Sequence, residues 1–288
     1  MINRLPPWFR QDIPDETVFR RIRALRDSGI NTVCQAAHCP NMGRCLTRGQ
    51  LTFMILGSQC TRNCRFCAVD KSKNIKVDFD YQEPLRIAKA VYSLGLKFVV
   101  ITSVTRDDLF DGGASQFVRT IETVRLFCPD TKIEILVPDF QGNIESLMDV
   151  VKAGPDIIAH NLETVARLYA DVRPEANYNR SLDILKKTKE TDAHIITKSS
   201  LLLGMGESKD EVIDAIKDLV LVDCDILTFG QYLAPSDRHY PVKEFIGIEQ
   251  FGYYRDVALR LGIKSVLSGP LVRSSYQAEE LYTELIQS

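Results

Sequence analysis

Six of the eight cysteines lie between positions 34 and 67, in two triplets of unlike spacing: Cys34-x4-Cys39-x5-Cys45 and Cys60-x3-Cys64-x2-Cys67. Thiolates are soft ligands, and closed zinc or iron–sulfur sites ordinarily take four protein ligands. Each triplet is one short. The spacing therefore predicts two sites, each with a position left for something other than cysteine, and an open position on a metal is where a reactant can bind. A zinc knuckle or a chance clustering is the competing reading of these residue types taken alone. Cys128, just before Pro129, and Cys224 stand apart from both sets and read as small structural hydrophobes.

Those cysteines need a framework, and 288 residues suffice for one large domain with a full core. Hydrophobic residues make up 45% and charged residues 26%, as in ordinary globular chains. A formal charge of −2 gives no basic field for nucleic acid. No apolar run reaches membrane-spanning length, and the segment from Met1 to Trp8 lacks the apolar stretch of a secretory signal. The expectation is a cytoplasmic chain without membrane or nucleic-acid partners. In that reducing compartment clustered cysteines favour metals over disulfides.

Residues 1–50 carry Pro6, Pro7, Pro14 and Pro40 and one amphipathic helical stretch, 16–26. They read as an extension wrapped onto a core. From Leu51 onward, β-rich runs at 52–56, 98–102, 132–137, 156–160, 195–203 and 225–229 alternate with helical stretches near 84–94, 115–127, 143–152, 164–170, 179–190 and 208–222. Alternation of this kind implies a parallel sheet with crossover helices. The expected fold is α/β, a partial (β/α)6 TIM-like barrel over 51–235. Residues 236–288 would form a C-terminal extension with helices near 248–261 and 277–286. Catalytic groups then belong at the C-terminal ends of the strands.

The second triplet follows the first β-rich run directly, in Phe53-Met-Ile-Leu-Gly-Ser-Gln-Cys60-Thr-Arg-Asn-Cys64-Arg-Phe-Cys67. This placement and spacing resemble the radical S-adenosylmethionine (SAM) superfamily. The resemblance implies a [4Fe-4S] cluster held by Cys60, Cys64 and Cys67, with SAM on the fourth iron and a deoxyadenosyl radical formed on one-electron reduction. Phe66 is the aromatic commonly found between the last two cysteines. Ser200-Leu-Leu-Leu-Gly204-Met-Gly206-Glu207 resembles a SAM-site motif of the superfamily, with Ser200 in place of a glycine. There Gly204 and Gly206 would let the backbone approach adenosine, although a lone glycine pair more often marks a strand-to-helix turn. In His160-Asn161-Leu162-Glu163, Asn161 and Glu163 could bind ribose hydroxyls. Arg173 could pair with the SAM carboxylate, its ordinary reading being a surface charge. Arg106, Asp107 and Asp108 fall at the catalytic face or cap a helix. Lys198 is a further candidate contact to SAM or substrate.

The first triplet is the more discriminating motif. It resembles the auxiliary-cluster motif of lipoyl synthases, as do several other segments: Thr102-Ser-Val-Thr-Arg-Asp-Asp-Leu-Phe-Asp-Gly-Gly-Ala114, Phe229-Gly-Gln-Tyr-Leu-Ala-Pro-Ser236, His239-Tyr-Pro-Val242 and Gly269-Pro-Leu-Val-Arg-Ser-Ser-Tyr276. The resemblance implies a second [4Fe-4S] cluster on Cys34, Cys39 and Cys45, completed by Ser275, a hard and unusual donor to iron. His38 is the less favoured alternative, and His194 reads as structural. The implied reaction inserts sulfur from the auxiliary cluster at C6 and C8 of an octanoyl chain carried on a lysine, giving a lipoyl group. No catalytic side chain beyond the clusters is implied. The implied partners are octanoylated lipoyl domains of 2-oxoacid dehydrogenase E2 subunits, the glycine-cleavage H protein, a low-potential electron donor and iron–sulfur assembly or carrier proteins. Arg44 and Leu46, where the family often has Glu and Trp, depart from its pattern, as does Ser200. Two further readings compete: another radical SAM sulfur transferase, methylthiotransferase or biotin-synthase-like, and a non-enzymatic iron–sulfur scaffold or electron carrier.

Overall fold

The structure is a computed structural model that describes residues 5–11, 16–72, 75 and 80–287. A 3-10 turn at Pro7–Phe9 is followed by α1 (Glu16–Asp27), β1 (Asn31–Thr32), α2 (Val33–Ala36) and α3 (Met42–Thr47). Then comes β2 (Thr52–Ile55), and a small pair, β3 (Gln59–Cys60) and β4 (Asp70–Lys71), flanks the second triplet. Alternation follows through α4 (Glu83–Leu94), β5 (Phe98–Ser103), α5 (Ala114–Phe127), β6 (Lys132–Leu136), α6 (Ile144–Lys152), β7 (Ile157–Ala159), α7 (Tyr169–Val172) and α8 (Tyr178–Thr191). It closes with β8 (Ile196–Leu203), α9 (Lys209–Leu221), β9 (Ile226–Gln231), α10 (Ile248–Leu261), β10 (Ser265–Ser268) and α11 (Ala278–Gln287).

The sheet runs β1-β2-β5-β6-β7-β8-β9-β10, antiparallel only where β1 meets β2. Parallel neighbours need crossovers, and each helix between them supplies one. The six expected strands are all present in one parallel sheet. Alternation of side chains along the strands divides the packing. In β5, Val99 and Ile101 join Phe53, Phe117, Ile121 and Leu147 beneath α4, α5 and α6. Leu201 and Phe229 pack with Val212, Ile216 and Phe251 beneath α9 and α10. Local signals match these elements. Pro84 opens α4 and Gly95 ends it at φ 62°, while Ser208 and Glu211 form a capping box on α9.

Two stretches differ from expectation. The helix expected near 164–170 is a 3-10 turn, Ala166–Leu168, running into the four-residue α7. The stretch 236–288 carries both expected helices, as α10 and α11, and adds a strand that was not expected. Its β10 pairs in parallel with β9, from Ser265 opposite Ile226 to Ser268 opposite Phe229. Its α11 sets Ala278 and Leu281 against Phe98, Val100, Ile157 and Ile226, the residues of β5, β7 and β9 that do not face the outer helices.

Candidate functional site

The second triplet sits in the loop after β2, and backbone hydrogen bonds tie that loop to the segment after β5, to the end of α7 and to the segment after β9. Thr61 N–H donates to Thr105 O (3.0 Å), Arg65 N–H to Val172 O (2.8 Å) and Tyr240 N–H to Arg65 O (2.8 Å). The His239 ring lies 3.2 Å from Cys67 O and 2.9 Å from the Ser236 hydroxyl. Its Nε2 therefore donates to the carbonyl and its Nδ1 accepts. Arg62, between the cysteines, is buried and donates to both oxygens of Asp107 (2.7 and 2.9 Å) and to Asp139. That pairing holds Asp139 down at about 2, against its burial. Arg62 and Asp139 were not picked out from the sequence, although Asp139 follows β6, at the end of the barrel where charge signals function.

Of the candidate SAM residues, Phe66 lies in this loop, and Glu163 and Arg173 come close to its cysteines. Phe66 is half-buried and packs against the core beneath α9 and α10. Asn161 Nδ2 donates to Glu163 Oε1 at 2.9 Å. Glu163 adopts a left-handed φ of 65° while its backbone is bound to β8 on both sides, through Ser200 O (2.9 Å) and Leu202 N (2.8 Å). Arg173 lies close enough to Cys64 and Glu163 to favour the charged form of each. Its Nη1 donates to Asn161 O, Leu162 O and the Tyr169 hydroxyl, while its Nε is buried without a partner. Gly204 and Gly206 have φ of 96° and 105°. A side chain at Gly204 would meet Gln231 Nε2 at 2.2 Å and Glu244 O at 2.3 Å, so glycine is required there by crowding within the chain. The Glu207 carboxylate accepts from the amides of Gly204 and Met205 and fixes the turn.

Other candidates are placed elsewhere. Lys198 does not reach the mouth. It is fully buried between β7 and β9 and pairs with Glu134 at 2.8 and 3.0 Å, which corrects the expectation of a contact to SAM or substrate. Arg106 is spent on Asp108, and Asp107 on Arg62. The Ser200 hydroxyl accepts from Thr228 at 2.8 Å inside the sheet, so the usual glycine is replaced without an unpaired group. His38 and His194 are exposed, and Cys224 is buried.

The first triplet is assembled from α2, the turn after it and α3. Cys39 N–H donates to Cys34 O (3.2 Å), and Cys45 N–H to Asn41 O (2.9 Å). Across it lies the segment 269–276. Asn41 Nδ2 donates to Leu271 O, and the Thr52 hydroxyl donates to Ser275 Oγ at 2.9 Å. The Thr52 amide is also a partner of the Cys34 thiol, so Ser275 stands one residue away from a triplet cysteine. Gln50 Nε2 reaches both oxygens of Glu280 at 2.9 Å.

The donor chemistry fits iron–sulfur clusters. All six thiols are free of disulfides. Burial first, then repulsion from neighbouring thiolates, pushes Cys34 up to about 11 and Cys45 and Cys67 up to about 12. A cationic centre that takes soft donors is what would hold three such thiols ionised. Among the described residues no group of three His, Cys, Asp or Glu is placed to hold a single metal ion. A cavity of about 710 Å³ lies elsewhere, between α1, α3 and α4, and no candidate ligand lines it.

The chain matches the model of the radical SAM superfamily over residues 54–219. It is 52% identical over 279 residues to the lipoyl synthase of Caldanaerobacter subterraneus subsp. tengcongensis, covering 97% of each chain. To the lipoyl synthase of Pyrobaculum calidifontis it is 49% identical, covering 98% of each. The fold is similar to that of methylornithine synthase, with a TM-score of 0.54 at 15% identity over 80% of this chain and 79% of that one. Streptococcus suis SuiB bound to S-adenosylmethionine gives a TM-score of 0.58 at 11% identity over 89% of this chain and 57% of that one. With two cysteine triplets on an open parallel barrel and relatives matched along nearly their whole length, the chain belongs to the lipoyl synthase family of radical SAM enzymes.

Proposed function

We propose that Cys60, Cys64 and Cys67 hold the [4Fe-4S] cluster that binds SAM, and that Cys34, Cys39, Cys45 and Ser275 hold the auxiliary [4Fe-4S] cluster that donates sulfur. When bound, these groups supply a carbon-centred radical and sulfide, which replace unactivated C–H bonds by C–S bonds beyond the reach of acid–base chemistry. The observation that carries the assignment is the Thr52–Ser275 hydroxyl pair beside Cys34. It supports a hydroxyl donor at the first triplet, supplied from residue 275. Asn161 and Glu163 offer acceptors and an amide donor for ribose hydroxyls. The unpartnered Nε of Arg173 leaves one guanidinium donor for a carboxylate. Phe66 lies in the cysteine loop, and Gly204 and Gly206 shape the turn after β8.

The substrate in this reading is an octanoyl-lysine on a lipoyl carrier domain of a 2-oxoacid dehydrogenase E2 subunit or on the glycine-cleavage H protein. Sulfur enters at C6 and C8. In this reading the described parts of 1–50 and of 236–288 enclose the auxiliary site, and those of 51–235 carry the SAM site. A low-potential donor reduces the enzyme, and iron–sulfur assembly or carrier proteins load it. No described helix is long and apolar enough to cross a membrane, which accords with a cytoplasmic setting. The test is anaerobic incubation of the reconstituted chain with an octanoyl-lysyl peptide, SAM and reductant, read by mass. A gain of two sulfur atoms is expected, and no gain overturns the reading.

A further inference from the structure

The two cluster sites share a side-chain link that uses none of the cysteines. Ser274 Oγ donates to Asn161 Oδ1 at 2.9 Å, and Asn161 Nδ2 donates to Glu163 Oε1 at 2.9 Å. Ser274 is also the chain neighbour of Ser275, whose oxygen accepts from Thr52 at the first triplet. One dipeptide thus touches both sites, with its two hydroxyls directed to different ones.

The segment carrying that dipeptide is pinned along its length. Gly269 N–H donates to Phe229 O (3.0 Å), Gln231 N–H to Pro270 O (3.3 Å) and Asn41 Nδ2 to Leu271 O. A side chain at Gly230 would stand 2.0 Å from Val272 O, so β9 and the segment press backbone to backbone. Seating Ser275 therefore fixes where Ser274 lies. Ser274 in turn fixes Asn161. With its oxygen engaged by a donor, the Asn161 amide can present only its NH2 to Glu163. Turned the other way, it would set an oxygen against the carboxylate. The Glu163 backbone is already held by β8, so the Asn161 amide is a remaining restraint on how its carboxylate is aimed.

We infer that Ser274 is a positioning residue that couples the two sites: closing of the first triplet by the 269–276 segment orients the Asn161–Glu163 pair and so preorganises the SAM site. This rests on the placement of SAM proposed above. Coupling between sites is reciprocal, so SAM bound at Glu163 must in turn favour the closed segment over the first triplet.

The test uses the full chain with both clusters reconstituted anaerobically, as wild type, Ser274→Ala and Ser274→Thr. SAM affinity is measured by equilibrium dialysis and iron content by analysis. Bleaching of the auxiliary cluster by an iron chelator is followed with and without SAM. Loss of one such hydrogen bond weakens SAM binding roughly three- to tenfold in Ser274→Ala. Iron content stays at the wild-type level, and Ser274→Thr restores the affinity. SAM slows the bleaching of the wild type and loses that effect in Ser274→Ala. Wild-type affinity in Ser274→Ala overturns the inference alone. A drop in iron content alongside affinity also overturns it, because it marks a merely structural role. A wild-type chain that takes up both clusters yet binds no SAM removes the proposed SAM site and this inference together.

Discussion

Thr52 and Ser275, 223 positions apart, share a hydroxyl–hydroxyl hydrogen bond of 2.9 Å at the edge of the first cysteine triplet. Thr52 is the first residue of β2, whose far end leads into the second triplet, so one strand supports both sites. Converting Thr52 to Val keeps the shape and removes the donor. The expected outcome is intact SAM cleavage with sulfur insertion slowed about fivefold, the worth of roughly one hydrogen bond. Ser275→Ala should also spare cleavage yet abolish insertion. The ratio of deoxyadenosine to lipoyl product, measured by chromatography, separates the two variants, and normal lipoyl yield from Ser275→Ala would end its assignment as a ligand.

Gly204→Ala should damage the SAM site through the backbone. The position has φ 96°, and its new Cβ would stand 2.2 Å from Gln231 Nε2 and 2.3 Å from Glu244 O. Left-handed strain and overpacking together should cost about 2–4 kcal/mol. Urea titration of the anaerobic protein measures the loss, and a stability unchanged from wild type would show that the turn relaxes freely.

Lys198 and Glu134 pair with no exposure of either side chain. Burial drives Glu134 upward, and the Lys198 ammonium opposes that drive. Removing one partner strands the other, so Lys198→Met should destabilise by about 3–5 kcal/mol. The double variant Glu134→Met/Lys198→Met should recover most of that loss. Denaturation midpoints of the three proteins decide it. A double variant no more stable than the single one would mean the pair holds the barrel for another reason.

His160 gives a pH signature. Burial, helped by the Arg173 guanidinium, holds it down at about 4, and its ring is bonded to Val137 O at 2.8 Å and to the Ser181 hydroxyl at 3.0 Å. The folded value lies below the unfolded one, so the neutral ring stabilises the fold fully above pH 6.5. That stability is lost as pH falls through 6.5 towards 4. Between pH 7 and pH 5 the loss should be roughly 2 kcal/mol. His160→Asn, which cannot titrate, should lack this part of the pH dependence in matched urea titrations. Equal slopes in the two proteins would contradict it.

The barrel was legible because its strands are β-rich runs such as Phe98-Val-Val-Ile-Thr102, separated by amphipathic helical stretches such as 84–94 and 208–222. β10 was not. Ser265-Val-Leu-Ser268 is four residues long and half serine, and only pairing with β9 makes it a strand. At the site, the cysteine spacing announced thiolate chemistry, and the motif around Ser275 was visible as a resemblance. The partners of these residues were hidden, since Thr52–Ser275, Asn161–Ser274 and Arg62–Asp139 are long-range contacts that only the closed barrel brings together. The misplacement of Lys198 has the same origin. Strand position was readable, but the ion pair that spends its charge was not.

The bonds from Gln50 to Glu280 and from Asn41 to Leu271 each join residues 230 positions apart. During synthesis, Cys34, Cys39 and Cys45 emerge from the ribosome long before Leu271, Ser275 and Glu280 have been made. Through most of translation the first triplet therefore lacks the segment that lies across it in the folded chain. The second triplet, by contrast, gains its flanking strands as the chain grows. Order of manufacture thus leaves the first triplet as the cysteine set whose cover, the segment from Leu271 to Glu280, is made last.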